Sequence, residues 1–240
     1  MRLPLAGRGW RRASGARLRA VSGAILGAMG ALAGTNRSNA PTGAPKWAFG
    51  RRALEANMTR YSIALIVGSL RRDSWNRRFG EALVRLAPAD FSFVPVPIGD
   101  LPLYNQDDDA TPAPAVTRLR AAITASQGLL FVTPEYNRSI PGVLKNALDH
   151  GSRPYGKSVW AGKPAGIVGV SPGAAGTAMA QQHLRNILSA VDVPTLCLPE
   201  VYVQAKDGLF DESGNIGAGS QKFLQAWMDR YVTWIKQHCA

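Results

Sequence analysis

The sequence predicts an α/β fold built on one parallel sheet, because two kinds of segment alternate along the chain. Continuous apolar runs of strand length occupy residues 62–68 and 128–133, and such runs are typical of strands buried on both faces of a sheet. After the second run, Ile140, Val143 and Leu144 have the spacing of one apolar helix face. Strands that alternate with helices form a parallel sheet with right-handed crossovers and with helices on both faces.

Three further strands complete the predicted sheet, at residues 91–98, 163–171 and 195–203. Pro95 and Pro97 place the first of these at the sheet edge, because proline cannot donate to a strand ladder. Helices are expected over residues 75–86, 115–126, 140–148, 184–191 and 223–235. The predicted fold class is therefore α/β, a flavodoxin-like three-layer sandwich with a five-stranded parallel sheet in the order 2-1-3-4-5. In that order strands one and three are neighbours, and ligands bind at the switch point between them.

Charge divides the chain into two parts. Residues 1–57 contain 10 Arg or Lys against the single Glu55, a net charge of +9, whereas residues 58–240 contain 18 basic and 15 acidic residues, a net charge of +3. We therefore expect residues 1–57 to be a basic, disordered N-terminal extension and residues 58–240 to form the flavodoxin-like domain. Met58 precedes the first strand, so the extension is alternatively an artefact of start-site choice. A targeting segment is another alternative, because arginines precede the apolar stretch at residues 21–34. A basic arm for nucleic acid or an anionic membrane is less favoured. Aromatic side chains do not alternate with the arginines, so little supports nucleic-acid binding.

Cysteine content and hydropathy indicate the compartment. Cys197 and Cys239 are the only cysteines, which are too few for a disulfide framework and lack the spacing of metal ligands. No apolar run reaches the length of a membrane span. Three consecutive carboxylates at residues 107–109 are expected to be solvated rather than to hold a metal. We therefore expect a cytoplasmic protein with no membrane contact and no metal site.

A polar loop at residues 68–76 connects the first strand to the first helix and is predicted to bind a phosphate group. Free N–H groups and the positive end of the helix dipole point at any anion that enters there. Ser69, Ser74 and Asn76 add side-chain donors, and Arg71 adds a positive charge. The loop contains neither a dinucleotide fingerprint nor a P-loop motif, so a single phosphate is expected. A capped turn without a ligand is the alternative, because Ser and Asn are also preferred N-cap residues.

The loop at residues 134–139 follows the third strand and therefore lies at the switch point, beside the phosphate-binding loop. A third loop, residues 172–177, consists mainly of small residues that let a backbone approach a ligand closely. A phosphate seat after strand one and a platform for a planar group after strand three describe a mononucleotide. These features favour FMN.

These loops also carry a family resemblance. GSLRRDSWN at residues 68–76, PEYNRSIPGVLKNALDH at residues 134–150 and, more weakly, SPGAAGTAMAQQHLRNIL at residues 171–188 resemble the NADPH-dependent FMN reductases. The similarity is greatest to the branch of bacterial chromate and quinone reductases. It runs from about residue 61 to the closing helix, roughly three quarters of the chain, and excludes the extension.

By position, this resemblance implies three groups of FMN-binding residues. The phosphate is expected to be held by Ser69, Arg71, Ser74 and Asn76. The isoalloxazine ring is expected to be lined by Pro134, Glu135, Tyr136 and Asn137 and flanked by Ser171 and Gly176. Asp73 departs from the family pattern, in which a small residue is commoner at this position. A carboxylate there repels a phosphate unless Arg71 or Arg72 compensates. Arg138 puts a cation near the flavin edge, which favours anionic electron acceptors.

The resemblance further implies an enzyme, an FMN-dependent NAD(P)H oxidoreductase. A hydride from NADPH or NADH passes through bound FMN to an acceptor such as a quinone, a free flavin, an azo compound or chromate. The cofactor carries the chemistry, so no side chain is assigned a catalytic role, and Glu135 is expected to order its loop. The resemblance also implies a homodimer or homotetramer. A flavodoxin-type electron carrier or flavin-binding sensor is the alternative. Such carriers are usually acidic, whereas residues 58–240 are slightly basic, which favours the reductase.

Overall fold

The computed structural model describes residues 61–239, and the predicted extension at residues 1–57 lies outside this range. Five strands form one parallel sheet: β1 (Tyr61–Val67), β2 (Phe91–Pro95), β3 (Gly128–Val132), β4 (Ala165–Ser171) and β5 (Tyr202–Gln204). Their order in the sheet is β2-β1-β3-β4-β5. The predicted fold class and strand order are therefore confirmed.

Five α-helices connect or follow the strands: α1 (Trp75–Val84), α2 (Pro114–Thr124), α3 (Gly142–Gly151), α4 (Ala178–Ala190) and α5 (Ala218–His238). Helices α1 and α5 cover one face of the sheet with side chains such as Phe79 and Trp227. Helices α2, α3 and α4 cover the other face with side chains such as Leu119, Leu144 and Leu184. Each face thus has its own apolar core. Among residues 61–239 there is no helix with the length and apolar content of a membrane span.

Two predicted strand boundaries are wrong, and prolines explain both. β2 ends at Pro95 rather than at residue 98, because Pro97 has no N–H with which to continue the ladder. The last strand was expected from residue 195, but Thr195 makes only an isolated bridge to Ala165 before the chain leaves the sheet. Pro199 lies in this excursion, and the chain returns to the sheet only as the short strand β5.

Aromatic side chains hold the long closing helix α5 against the sheet. The Tyr231 hydroxyl is buried and donates a hydrogen bond to the Leu129 carbonyl oxygen of β3 at 2.9 Å. Burial raises the pKa of this hydroxyl well above its usual range, so it remains a donor. Trp227 stacks on Tyr231 with ring centroids 5.3 Å apart. Gly166 on β4 leaves room for this pair, since a Cβ at that position would lie 2.7 Å from the Tyr231 ring.

Candidate functional site

The loops that follow β1, β3 and β4 meet at the carboxyl edge of the sheet and enclose a cleft of about 100 Å³. Eight of the ten predicted site residues line this cleft: Ser69, Arg71, Ser74, Asn76, Pro134, Glu135, Tyr136 and Ser171. The three loops are far apart in the sequence, so it is the fold that brings these side chains together. The cleft also lies where open α/β sheets bind ligands, at the switch point in strand order.

The loop after β1 and the N-terminus of α1 form one wall of the cleft, and each contributes the hydroxyl of a buried serine. Ser74 is the N-cap residue, and its Oγ accepts a hydrogen bond from the Arg77 N–H at 3.2 Å. Ser69 Oγ accepts a hydrogen bond from the Arg71 N–H at 3.4 Å. A hydroxyl that accepts such a bond still has its own O–H to donate, and neither serine donates to another group within residues 61–239. With the positive end of the helix dipole, these O–H groups make the wall suited to a phosphate.

Asn76 has a structural role as well as a place in the cleft. Its Nδ2 donates to the Val170 carbonyl oxygen at 2.8 Å, and its Oδ1 accepts from the Val170 N–H at 3.0 Å. The last backbone hydrogen bond between the β3 segment and β4 runs from the Thr133 N–H to the Val168 carbonyl oxygen. The Asn76 amide therefore takes the place of a neighbouring strand just beyond the end of β3. One Nδ2–H remains for a ligand, and the predicted phosphate contact of Asn76 stays a prediction.

The charged residues of the loop after β1 differ in position. Arg71 lines the cleft, whereas Asp73 is not among the residues that line it. Both side chains are exposed, as is Arg72. Water therefore screens the repulsion that Asp73 would exert on a bound phosphate, while Arg71 lies on the cleft itself.

The loop after β3 forms a tight turn at residues 136–139, which we call the flavin-edge turn after the position predicted for it from the sequence. The N–H and carbonyl groups of Tyr136 and Ser139 are bonded reciprocally, with N···O distances of 2.9 and 3.0 Å. The two central residues, Asn137 and Arg138, have φ angles of 52° and 63°, as in a type I′ turn. This left-handed conformation costs a residue such as arginine roughly 1–2 kcal/mol.

Two contacts from α4 brace the flavin-edge turn. Glu135 Oε2 accepts a hydrogen bond from the Ala180 N–H at 3.0 Å, so this carboxylate satisfies an otherwise free donor in the first turn of α4. Ser139 Oγ and His183 Nδ1 lie 2.7 Å apart. The expectation that Glu135 orders its loop agrees with this geometry.

Ser171, at the end of β4, lies on the third wall of the cleft, and its hydroxyl donates to the Gly176 carbonyl oxygen. Gly176 has a φ of 59°, and a Cβ there would lie 2.7 Å from the Tyr202 carbonyl carbon, so only glycine suits this position. Gly176 contacts this wall through its bond to Ser171 but is not among the residues that line the cleft. Asn137 does not line the cleft either. The FMN contacts of these two residues stay predictions.

Sequence reasoning does not identify three residues that line the cleft, namely Trp75, Val170 and Pro172. Trp75 has the spacing of a helix core residue, and its ring stacks on Phe210 with centroids 5.9 Å apart. Val170 belongs to an apolar strand and gives no local signal of a site. Pro172 begins the small-residue loop. Its position directly after β4 is a signal in the sequence that could have indicated a place in the cleft.

Two larger cavities, of about 290 and 310 Å³, lie elsewhere on the domain. The first adjoins α2 and α3, where His150 Nε2 is already bonded to the Pro102 carbonyl oxygen at 2.8 Å. The second lies between α1 and the end of β2 and shares only Ser69 with the cleft. Neither lies at the switch point, so the smaller cleft is the stronger candidate.

A model of the NADPH-dependent FMN reductase family matches residues 61–207, a range that contains all three walls of the cleft. The chain belongs to this family.

Named relatives agree with the FMN reductase assignment. A 2-hydroxy-1,4-benzoquinone reductase of a Burkholderia species is 51% identical over 72% of this chain and 96% of the relative. A quinone reductase of Pseudomonas putida is 49% identical over 73% of this chain and 95% of the relative. Among solved structures, FerB, a flavoenzyme NAD(P)H:(acceptor) oxidoreductase from Paracoccus denitrificans, has a TM-score of 0.72 and 42% identity, covering 74% of this chain and 98% of that chain.

Membership of the FMN reductase family confirms the predicted enzyme class, an oxidoreductase, and the predicted cofactor and donor, FMN and NAD(P)H. The cleft fits FMN by its own chemistry. The hydroxyls of Ser69 and Ser74, the N-terminus of α1 and the Arg71 charge suit a phosphate, and the segment from Pro134 to Tyr136 offers a separate wall for a planar ring. Pockets that enclose a whole ligand of this size hold about 300 Å³ or more, so the cleft encloses only part of the cofactor.

Proposed function

We propose that this FMN reductase acts as a quinone reductase that transfers two electrons from NADPH or NADH to quinones. The observation that supports this most strongly is the meeting of three distant loops in one cleft, with phosphate-binding groups on one wall and a braced turn on another. The relatives named as quinone reductases support the choice of acceptor. Overall, NAD(P)H, a proton and a quinone give NAD(P)⁺ and a hydroquinone.

Each wall has a distinct task in this proposal. Ser69, Ser74 and Arg71 hold the phosphate by donating hydrogen bonds and by charge. The backbone between Pro134 and Tyr136 positions the isoalloxazine ring. The Glu135 N–H, with N–H groups of the loop after β4, stabilises negative charge on the ring, whereas the Tyr136 N–H is already bonded to Ser139. When bound, FMN supplies the two-electron chemistry that links NAD(P)H to the acceptor.

Visible absorption spectroscopy of the full chain tests the proposal. Purified protein is loaded with FMN, treated anaerobically with NADPH or NADH, and then given a quinone. We expect flavin bands that bleach with the nicotinamide and return with the quinone. Flavin bands that do not change with either nicotinamide would favour the electron carrier or sensor instead. No flavin binding even with added FMN would contradict the assignment of the cleft.

Other acceptors share the requirement for an accessible flavin. We therefore include free flavin, azo compounds and chromate in the proposal as alternative acceptors. When each replaces the quinone in the spectroscopic test, the rate at which the flavin bands return ranks them. If one of these compounds reoxidises the bleached flavin faster than any quinone does, that compound is the preferred acceptor.

We also propose a cytoplasmic homodimer or homotetramer in which residues 58–240 form the reductase domain. Exposed Tyr136 and Met179, which lie beside the cleft and on α4, support a subunit contact near the site. Light scattering of the FMN-loaded protein measures the oligomeric state.

Deletion of residues 1–57 is expected to leave the flavin cycle intact, since all three walls lie in the domain. If deletion abolishes DNA retention on a column, the extension is a nucleic-acid-binding arm.

A further inference from the structure

Arg138 is held at the tip of the flavin-edge turn in a conformation that arginine disfavours. Its φ of 63° follows the φ of 52° at Asn137, and glycine is the residue that adopts a left-handed φ without cost. Local strain that persists beside a ligand site points to a function for the strained residue.

Contacts on both sides of the turn maintain this conformation. Tyr136 and Ser139 are bonded to each other across the turn, and Ser139 is also bonded to His183. On the other side, Glu135 is bonded to the Ala180 N–H. The backbone of Arg138 is therefore fixed relative to the cleft.

The positive charge of Arg138 has no partner within residues 61–239. Its guanidinium takes part in no salt bridge there, and Glu135, the carboxylate nearest to it in the sequence, is already bonded to α4. Arg138 follows Tyr136 by two residues, so their Cα atoms lie within about 7 Å, and Tyr136 lines the cleft. An unpaired cation thus stands within a side chain's reach of the cleft, on a different loop from the phosphate-binding serines.

We propose, resting on the quinone reductase function above, that Arg138 determines acceptor specificity: its guanidinium selects quinones with an ionised ring hydroxyl over neutral quinones. A hydroxyl beside a quinone carbonyl is a vinylogous carboxylic acid, so it is ionised at neutral pH and shares its charge with ring carbonyl oxygens. The ionised hydroxyl and its neighbouring carbonyl present two adjacent oxygens, which match two N–H groups of the guanidinium fork.

The reaction with such an acceptor remains balanced. Two electrons and one proton leave NAD(P)H as a hydride, and a second proton comes from solvent. The quinone carbonyls become hydroxyls and NAD(P)⁺ is released. Because an ionised ring accepts electrons less readily than a neutral ring, its reduction gains most from a nearby cation.

The test compares two acceptors of similar size on the full-length, FMN-loaded enzyme. 2-Hydroxy-1,4-naphthoquinone is ionised at neutral pH, whereas 2-methoxy-1,4-naphthoquinone carries no ionisable hydroxyl. Dissociation constants are measured without nicotinamide, from changes in the visible spectrum of the bound flavin, and kcat and KM are measured with NADPH and with NADH.

Arg138→Asn removes the charge but keeps a residue that tolerates a left-handed φ. We expect this variant to bind the hydroxyquinone roughly 10- to 100-fold more weakly, as for the loss of a charge-assisted hydrogen bond. Binding of the methoxyquinone should change less than about twofold, since this neutral quinone forms no ion pair with the guanidinium. Arg138→Lys keeps the charge without the fork and should show an intermediate loss.

Two controls separate a local contact from a general effect of charge. Arg230→Asn removes an exposed cation from α5 and should change neither dissociation constant. Added salt should weaken binding of the hydroxyquinone to the wild type more than to Arg138→Asn, because screening acts on the ion pair that only the wild type can form.

Equal losses for both quinones in Arg138→Asn would overturn the proposal, since the residue would then only shape the turn. A change confined to the KM for NADPH and absent for NADH would also overturn it and assign Arg138 to the phosphate of the donor. If the wild type reduces neither quinone, the quinone reductase function itself fails. The dissociation constants still decide whether Arg138 selects the anion.

Discussion

Two parts of the cleft are built in different ways: the flavin-edge turn and the wall formed by residues 69–76, which we call the phosphate wall after the ligand group proposed for it. At the phosphate wall, the decisive groups come from one short segment, where Ser69 and Ser74 accept bonds from N–H groups two and three residues further along. At the flavin-edge turn, Glu135 and Ser139 depend on α4, more than 40 residues away in the sequence. The first wall is therefore organised locally, and the second is organised by the tertiary fold.

Under the two proposals above, this difference separates binding of the cofactor from selection of the electron acceptor. A locally capped helix N-terminus forms whenever the helix forms, so it provides a reliable site for the phosphate group that we propose it binds. A turn that is braced from a distant helix can display a strained residue, because its neighbours oppose relaxation. Variation in the acceptor can then arise at the turn without loss of the cofactor.

Asn76→Ala should have the largest effect on stability, because Asn76 links the locally organised wall to β4. The change leaves the N–H and carbonyl groups of Val170 without partners in a buried place, at a cost of about 1–3 kcal/mol each before relaxation. We expect a loss of about 3 kcal/mol in the free energy of unfolding, measured by urea titration of the flavin-free protein, together with weaker FMN binding.

Asn146→Ala provides a matched control for that variant. Asn146 also bonds to backbone through both ends of its amide, accepting from the Tyr104 N–H and donating to the Pro102 carbonyl oxygen, each at 2.8 Å. It is more exposed and away from the cleft, so we expect a loss of about 1 kcal/mol and unchanged FMN binding. If Asn76→Ala is no more destabilising than the control, the amide does not extend the sheet as described.

Substitutions at Ser74 separate helix capping from phosphate binding. Ser74→Asp keeps an N-cap acceptor and complements the helix dipole, so we expect it to preserve stability. The new carboxylate would repel the phosphate and should weaken FMN binding roughly 100-fold. Fluorescence titration with FMN measures the affinity, and thermal unfolding of the flavin-free protein measures the stability.

Ser74→Ala completes this comparison, because it removes both the cap and the donor. It should lose about 1 kcal/mol of stability yet bind FMN better than Ser74→Asp. Wild-type affinity in Ser74→Asp would place the phosphate away from the N-terminus of α1.

Substitutions at Glu135 test the flavin-edge turn, where the Glu135 carboxylate is bonded to the distant helix α4. Glu135→Ala leaves the Ala180 N–H without its acceptor and should reduce the free energy of unfolding by about 1 kcal/mol. Glu135→Gln keeps an oxygen acceptor and should lose only a few tenths of a kcal/mol. With full FMN occupancy, Glu135→Gln should retain kcat, and a large fall in kcat measured under those conditions would instead assign the carboxylate a role in proton transfer.

The same contrast explains what the sequence could predict. Apolar runs that alternate with helix patterns predict the strands and a parallel sheet, and the flavodoxin-like assignment supplies their order. The clustering of eight site residues then follows from their positions after neighbouring strands, so it is accessible to sequence patterns. The bonds of Asn76 to Val170 and of Glu135 to Ala180 join residues 94 and 45 positions apart. No local pattern encodes such pairs. The start of β5 was predicted too early for a related reason, because a proline inside an apolar run can mark either an edge strand or an excursion from the sheet.

Arg138→Gly should have the smallest effect and bears most directly on the strain at the flavin-edge turn. Glycine relieves the left-handed strain but adds freedom to the unfolded chain, so we expect a net gain of about 0.5 kcal/mol in the free energy of unfolding. Asn137→Gly is the matched change at the preceding position. Asparagine already tolerates a positive φ, so its gain should be smaller. Urea titration of both variants measures the difference. A loss of stability in Arg138→Gly would mean that the arginine stabilises the turn through contacts of its own, and its strained conformation would then need no function in acceptor selection.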